Sequence, residues 1–324
     1  MYDIITLGDS LIDTFLILDE SDTTTVITQH NTKKLCFNYA EKIAVKNSIH
    51  SIGGNAANVA VGAKKLGLKT AIITELGDDL TGHAIHHALK SAGVDTKYVK
   101  LTRGKETRYS VVLNYQAERT ILSYHAEREY HLPKLPKTRW VYYTSMGKTF
   151  EHTHDALKQY LKKNPNTHLA MNPGSYQFQK GLKHIKSLLP FTQILIVNKE
   201  EAAKLVGEKD KPAKYLKALH KKGVPLVVLT DSMNGSYASD GVNTYHMAAY
   251  PIKPLAKTGA GDAYSSGFLS ALIQDKTLPE AMQWGTANAG GVIQHFGAQT
   301  GLLTTKTLKS LMKHYPHITP QPLT

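Results

Sequence analysis

The sequence predicts an α/β fold in three layers, a mainly parallel sheet covered by helices on both faces, with a smaller set of strands outside it. Three observations predict it. Apolar runs near 139–144, 168–171, 193–197 and 225–230 alternate with segments of helical period. The first apolar run, Tyr2 to Leu7, ends in Gly8-Asp9-Ser10, polar residues at the strand end where open α/β sheets present ligand-contacting groups. Two stretches, about 14–50 and 105–125, interrupt the alternation. The first is polar, β-branched from Thr23 to Thr28 and without helical period, as expected of short strands leaving the main sheet. The second holds two alternating segments, 109–113 and 120–122, around Gln116-Ala117-Glu118-Arg119, the pattern of a hairpin.

In chain order, Ser51-Ile52-Gly53-Gly54-Asn55-Ala56-Ala57-Asn58 leads into a helix expected to run to about Leu66, with Gly67 ending it. Asparagine both donates and accepts, which suits a polyol, and a merely capped helix would show the same residues. Lys69 to Leu76 reads as a strand, Gly77-Asp78-Asp79 as a turn and Thr81 to Ser91 as a helix. His83, His86 and His87 lack Cys or carboxylate partners at metal-ligand spacing. They are expected to be surface or half-buried histidines, as are His152 and His154.

The chain has 324 residues, 41% of them hydrophobic, enough for one large domain over 1–324. One cysteine, Cys36, excludes a disulfide framework and fits a reducing, cytoplasmic setting. The N-terminal residues lack the pattern of a signal peptide, and no apolar run approaches the roughly 18 residues of a membrane span. The net charge of +13 raises the question of nucleic acid. The lysines are scattered, as in Lys211, Lys214, Lys217, Lys221 and Lys222, with no basic arm of interleaved aromatics. A solvated basic surface is expected instead, with a weak pull on anionic substrates.

The chemistry concentrates in Lys257-Thr258-Gly259-Ala260-Gly261-Asp262, followed by the helical pattern of Phe268, Leu269 and Leu272. Amides at a helix start have no partner inside the helix and form an anion site. Glycines let a phosphate approach the backbone. Asp262, in the first turn, is placed to accept a proton. An anion hole beside a general base is what phosphoryl transfer to a hydroxyl requires, although a capping turn has the same composition. Gly8-Asp9-Ser10-Leu11 is also similar to the first block of the GDSL esterases, but no Asp in the chain has His three positions on.

Together these pieces resemble the PfkB (ribokinase-like) carbohydrate kinase family along essentially the whole chain. Gly53-Gly54 through Asn58 and Ala60, then Gly67 and Gly77, matches its N-terminal signature; Gly259-Ala260-Gly261-Asp262 with Ser266-Gly267 matches most of its C-terminal one. Asn198-Lys199-Glu200-Glu201 looks like its Asn-x-x-Glu element, and 226–236 like its nucleotide-side strand and turn. No Walker A string is present, so a P-loop mechanism is not implied.

The resemblance implies a ribokinase-like α/β/α sandwich with a β-lid formed by 14–50 and 105–125. Asp262 would be the general base, and Gly259, Ala260 and Gly261 the anion hole. Asn198 and Glu201 would organise Mg2+ and its waters around the phosphates of ATP. Thr230 and Gly235 would line the nucleotide site with Asn288 near the base, while Lys257, which follows the departure at Ala256, is either a positive charge near the phosphates or a solvated lysine. Asp13, Gly54 and Asn58 would hold sugar hydroxyls, and a homodimer through the lid is expected. The match departs at Ala256, where the family usually carries a polar residue that in some members helps bind a monovalent cation, so potassium activation is not expected. The expected acceptor is a sugar. A nucleoside is the alternative, with Phe37, Tyr39, Tyr109 and Tyr124 available as an aromatic wall. A phosphorylated sugar is another, with Lys42, Arg108 and Arg119 available for its phosphate.

Overall fold

The computed structural model describes residues 1–19, 24–29, 32–115 and 118–323. The strand Tyr2–Leu7 lies inside a ten-stranded sheet and pairs in parallel with Thr70–Gly77 on one side and Thr138–Tyr143 on the other. Asp95–Thr102 extends the first side, and His168–Met171, Thr192–Asn198 and Leu226–Thr230 extend the second, all in parallel. Ser236–Ser239, Thr244–Met247 and Gln321–Pro322 finish that edge antiparallel. The chain therefore builds outward in opposite directions from Tyr2–Leu7. In such a sheet the crevice for a ligand opens beyond the carboxyl ends of the strands at that reversal.

Every residue of Thr70–Gly77 is buried, which is why parallel strands read as unbroken apolar runs. Successive side chains enter different layers. Ile4 and Tyr142 join Val59, Phe268 and Leu269 of the helices Asn55–Lys65 and Ala260–Ile273. Ile5 and Tyr143 join Leu157, Leu205 and Leu216 of the helices Glu151–Lys163, Lys199–Val206 and Pro212–His220. This is the expected three-layer sandwich. The lysines 211, 214, 217, 221 and 222 are exposed, as a solvated face requires.

A separate four-stranded sheet runs in the order Val45–Gly53, Leu11–Leu18, Tyr109–Tyr115, Glu118–Tyr124. Leu11–Leu18 pairs antiparallel with Val45–Gly53 and parallel with Tyr109–Tyr115, which sets Asp13 opposite Ser51 and Ser110. Thr24–Gln29 and Thr32–Phe37 form a hairpin of their own. Of the residues singled out in the sequence, Thr23, Gln116 and Ala117 lie outside the described residues. Glu118 and Arg119, expected in a turn, belong to a strand. Asp79 ties this sheet to the core: its carboxylate caps the helix Leu80–Ser91 at Gly82 N (2.7 Å) and accepts from Thr107 N (2.7 Å).

One histidine departs from expectation. His154 is buried, between the Tyr143 hydroxyl (3.5 Å) and Ser187 Oγ (3.0 Å), and burial pushes its pKa down to about 4. Its helix turns that face toward the sheet, which the spacing of histidines alone does not reveal.

Close backbone approach holds the helix layer together. Ala260–Ile273 packs against Leu278–Val292 so tightly that a Cβ on Gly267 would lie 2.5 Å from Trp284 O. Overpacking of this kind costs about 1–3 kcal/mol. Gly267→Ala is therefore expected to lower the thermal unfolding midpoint by several degrees, at ~2–4 °C per kcal/mol in a large domain. An unchanged midpoint by circular dichroism would show that the two helices part without cost.

Candidate active site

The turn before Ala260–Ile273 places Gly259 at the N-cap with φ 82°, a left-handed conformation that glycine adopts without penalty. No side chain caps this helix. Its first-turn amides at Gly261 and Asp262 have no acceptor within the helix, so the end carries partial positive charge. A Cβ added at Gly261 would meet no protein atom within 4 Å. Gly261 is thus not demanded by packing; it keeps the space above the helix end open. Beside it the Thr258 hydroxyl is buried and unpartnered.

Asp262 is 7% exposed and held from one direction. Asn55 Nδ2 donates to Oδ1 at 3.0 Å and Asn58 Nδ2 to Oδ2 at 2.8 Å. Gln299 Nε2 in turn donates to Asn58 Oδ1 at 3.0 Å, which fixes how that amide faces. Burial raises the Asp262 pKa to about 6, against the lowering effect of Asn58 and Asn55. Asp13, also buried, is raised to about 6 by burial; Ser110 lowers it and the charge of Asp262 raises it. The two buried carboxyl groups are near enough for the charge of one to act on the other, and both are lifted toward neutral pH. Gly54, φ 93°, caps the helix Asn55–Lys65, where a Cβ would lie 2.5 Å from Asp9 O. That close approach brings the strand end at Asp9 against the start of the asparagine helix.

On the other side of the Gly259 turn lies a cavity of about 420 Å³. Asn198, Thr230, Gly235, Lys257, Ala260 and Gly261 all line it, with Tyr250 and Tyr264 contributing aromatic surface. Asn198 caps Lys199–Val206: its Oδ1 accepts from Glu201 N (2.8 Å), and Glu201 Oε2 accepts from Asn198 N (3.0 Å). Burial raises Glu201 to about 7, with the Asp262 charge a minor contributor in the same direction. A half-desolvated carboxylate that has spent one oxygen on a cap has another left for a cation. A hard cation held by one carboxylate, waters and phosphates is how Mg2+ is bound beside nucleotides, so the site fits it. Ala256 offers no carboxylate, and its amide bonds Ile293 O (3.3 Å).

The family model of the pfkB carbohydrate kinases matches residues 22–306. The chain belongs to that family. It is 27% identical to an ATP-dependent 6-phosphofructokinase of Thermoanaerobacterium thermosaccharolyticum, over 96% of this chain and 94% of that protein. It is 30% identical to fructoselysine 6-kinase of Escherichia coli, over 76% and 91%. In fold it is similar to Arabidopsis thaliana ribokinase, solved with ribose and ATP: TM-score 0.76 at 21% identity, covering 96% and 99% of the two chains.

In this kinase the two glycine-bearing turns, about 200 residues apart in sequence, meet through the Asn58–Asp262 hydrogen bond (|i−j| = 204). Three expectations need correction. Asn288 does not reach that cavity: it is fully buried, donates to Ala263 O (2.9 Å) and Ser266 Oγ (3.0 Å), and accepts from Leu303 N (2.9 Å). Its neighbours Thr286, Ala289 and Gly290, on another face of the helix, line the cavity instead. Arg119 lines that same cavity rather than the Asp13 side, because its strand crosses over the Gly259 turn, where Glu118 pairs with Lys257 at 3.0 Å. Asn58 has both ends of its amide engaged inside the protein, so it positions Asp262. Asn55 and Gln299 were not foreseen. The Asn55–Asn58 spacing carried the signal for the first; Gln299 has none.

The raised carboxyl pKa values set a stability trend. Asp262 is ordinarily half-protonated at 3.8 and here at about 6, so its stabilising contribution is complete below the lower value and is lost as pH rises through the higher. Asp262→Asn is thus expected to raise the thermal midpoint at pH 8 by a few degrees, with the gain vanishing by pH 4. A midpoint lowered at pH 8 would show that the carboxylate stabilises the fold.

Proposed function

We propose that this kinase transfers the γ-phosphoryl group of ATP to a hydroxyl of a sugar, with Asp262 as the base. One observation carries the reading: the buried carboxyl of Asp262, gripped by two asparagines, sits in the first turn of a helix whose open end faces a cavity of nucleotide size. ATP would lie in the 420 Å³ cavity, its base and ribose along Thr230, Gly235 and Tyr250. Its terminal phosphate would meet the turn at Gly259, Ala260 and Gly261, where the Gly261 amide has no acceptor within the helix, with Lys257 adding charge. Asp262 would take the proton from the acceptor hydroxyl as the phosphorus–oxygen bond forms and ADP departs. Asp13 and the Gly54 backbone would hold the acceptor, while Asn55 and Asn58 hold the base.

Glu201 and Asn198 would hold Mg2+ through water. When bound, the ion neutralises charge between the phosphates. The second sheet would close over the acceptor as a lid and exclude competing water. Its exposed apolar residues, Ile121 and Leu122 among them, would join two copies into a homodimer. The lone free Cys36 fits a cytoplasmic setting. A nucleoside acceptor is the second reading, favoured by the Tyr109–Tyr124 ring pair, 5.2 Å between centroids and partly exposed on the same sheet.

A coupled ADP-release screen tests this against ribose, fructose, 2-keto-3-deoxygluconate, fructose 6-phosphate, adenosine, inosine and cytidine. At least one acceptor should release ADP in a magnesium-dependent manner. Asp262→Asn should then cost about 10²–10⁴-fold in kcat. The native kcat should climb as pH rises through about 6, because the base acts only when ionised. Silence with every acceptor, or near-native turnover of Asp262→Asn, overturns the assignment.

A further inference from the structure

We infer that a second cavity, of about 330 Å³, is an effector site for a small aromatic carboxylate. It lies at the carboxyl ends of Tyr2–Leu7 and Thr70–Gly77, between the sheet, the helix Glu151–Lys163 and residues 130–133. It shares no lining residue with the cavity beside the Gly259 turn. Binding there is therefore independent of the nucleotide reading.

The floor of this cavity is apolar and aromatic. Leu7 and Ile73 reach it from the strands, Met146 from the loop after Thr138–Tyr143, and Tyr98 and Tyr130 add two rings. Ile73 and Glu75 leave their strand on one face, so a carboxylate stands beside that apolar surface. Glu75 is 7% exposed and its charge is already answered. Thr102 Oγ1 donates to it at 2.6 Å and Lys100 Nζ at 3.4 Å, and the Arg128 guanidinium also acts on it. Among the lining residues, Lys97 and Lys100 stand against this one carboxylate. Lys97 also acts on Asp95, which Tyr2 and Lys69 engage as well. Lys100 is exposed at the mouth with N–H groups to spare, since an ammonium carries three.

Thr153 supplies the deciding observation. It is on the wall and 1% exposed, and its hydroxyl is buried with no partner among the described residues. A helical threonine commonly bonds back to the preceding turn. This one does not, and an orphaned hydroxyl is costly unless something in the cavity completes it. Water would complete the hydroxyl and leave the apolar floor uncovered. A carboxylate carried on a flat ring does both: its oxygens accept from Thr153 and Lys100, and its ring covers Tyr98, Tyr130 and the thioether of Met146.

Tyr130 connects this cavity to the residues proposed to hold the acceptor. It is 5% exposed, and its hydroxyl donates to Asp9 Oδ1 (3.1 Å) and accepts from Gly147 N (3.1 Å). Asp9 pairs with Arg108, next to the strand that sets Ser110 opposite Asp13, and its carbonyl closely approaches Gly54. A ligand packed on the Tyr130 ring holds that chain of contacts in one arrangement, so the acceptor meets a wall already ordered.

The test is binding to the full chain without nucleotide, by calorimetry, with phenylacetate and indole-3-acetate as probes and phenylacetamide and acetate as controls. At least one aromatic carboxylate should bind, about tenfold or more tightly than the amide, which keeps the ring and loses the charge, and than acetate, which keeps the charge and loses the ring. Thr153→Val and Lys100→Met should each weaken that binding by about tenfold, while ADP release without effector stays native. With the effector saturating, KM for the acceptor found in the screen above should fall by about fivefold or more, with KM for ATP unchanged. Should one variant fail to fold, the other and the ranking of the four probes still decide. No binding, equal binding of the amide or of acetate, binding that survives both variants, or an acceptor KM that holds or rises overturns the inference and leaves the kinase standing. Absence of ADP release with every acceptor strikes the kinase reading instead, while the binding measurements still report on the cavity.

Discussion

A carboxylate clasped by two amides across a helix–helix contact is what the rest of this protein arranges. Asn55 and Asn58 hold the two oxygens of Asp262 separately, at 3.0 and 2.8 Å, and Gln299 fixes the second amide from behind. The clasp requires the helices Asn55–Lys65 and Ala260–Ile273 to lie nearly backbone to backbone. Small residues permit that: Gly62 faces Ser266 so closely that a Cβ there would overlap the serine side chain. The central strands then hold both helices on one face of the sheet.

The clasp has an electrostatic cost. Asp262, Asp13 and Glu201 are all lifted above the ordinary carboxylate range, chiefly by burial. Three such acids around one crevice would repel each other if all were ionised in a dry site. The open helix end at Gly259 and the lysine at 257 supply the opposing positive potential. Under the proposed phosphoryl transfer, polyphosphate, cation and proton would be balanced there. The Glu118–Lys257 pair joins the second sheet to the turn that precedes Ala260–Ile273.

The cavity beside the Gly259 turn mixes aromatic and small residues with the charges of Arg119, Lys199, Glu200, Asp231 and Lys257. Asp9, Asp13, Arg108, Arg128 and Asp262 are buried charges outside that cavity. Overall charge says little about this, since most of the +13 sits in solvated lysines.

The sequence by itself determined the layer order, because strands buried on both faces must read as unbroken apolar runs and their covering helices as 3.6-residue patterns. It also marked the glycine turn and Asp262 at the start of Ala260–Ile273, because glycines before a helical pattern are legible in linear order. It could not determine which face of a helix a polar residue takes. Asn288, Asn58 and His154 each lie on a helix whose inward and outward positions differ by one residue, and only packing chose between them. Nor could it decide where Arg119 and Arg128 go. The strand Glu118–Tyr124 is exposed along its length and carries no pattern that aims its side chains, and 125–137 runs largely without secondary structure. Long-range pairing set those positions, because a charge is placed by what surrounds it in space, and the chain's linear order holds no record of that.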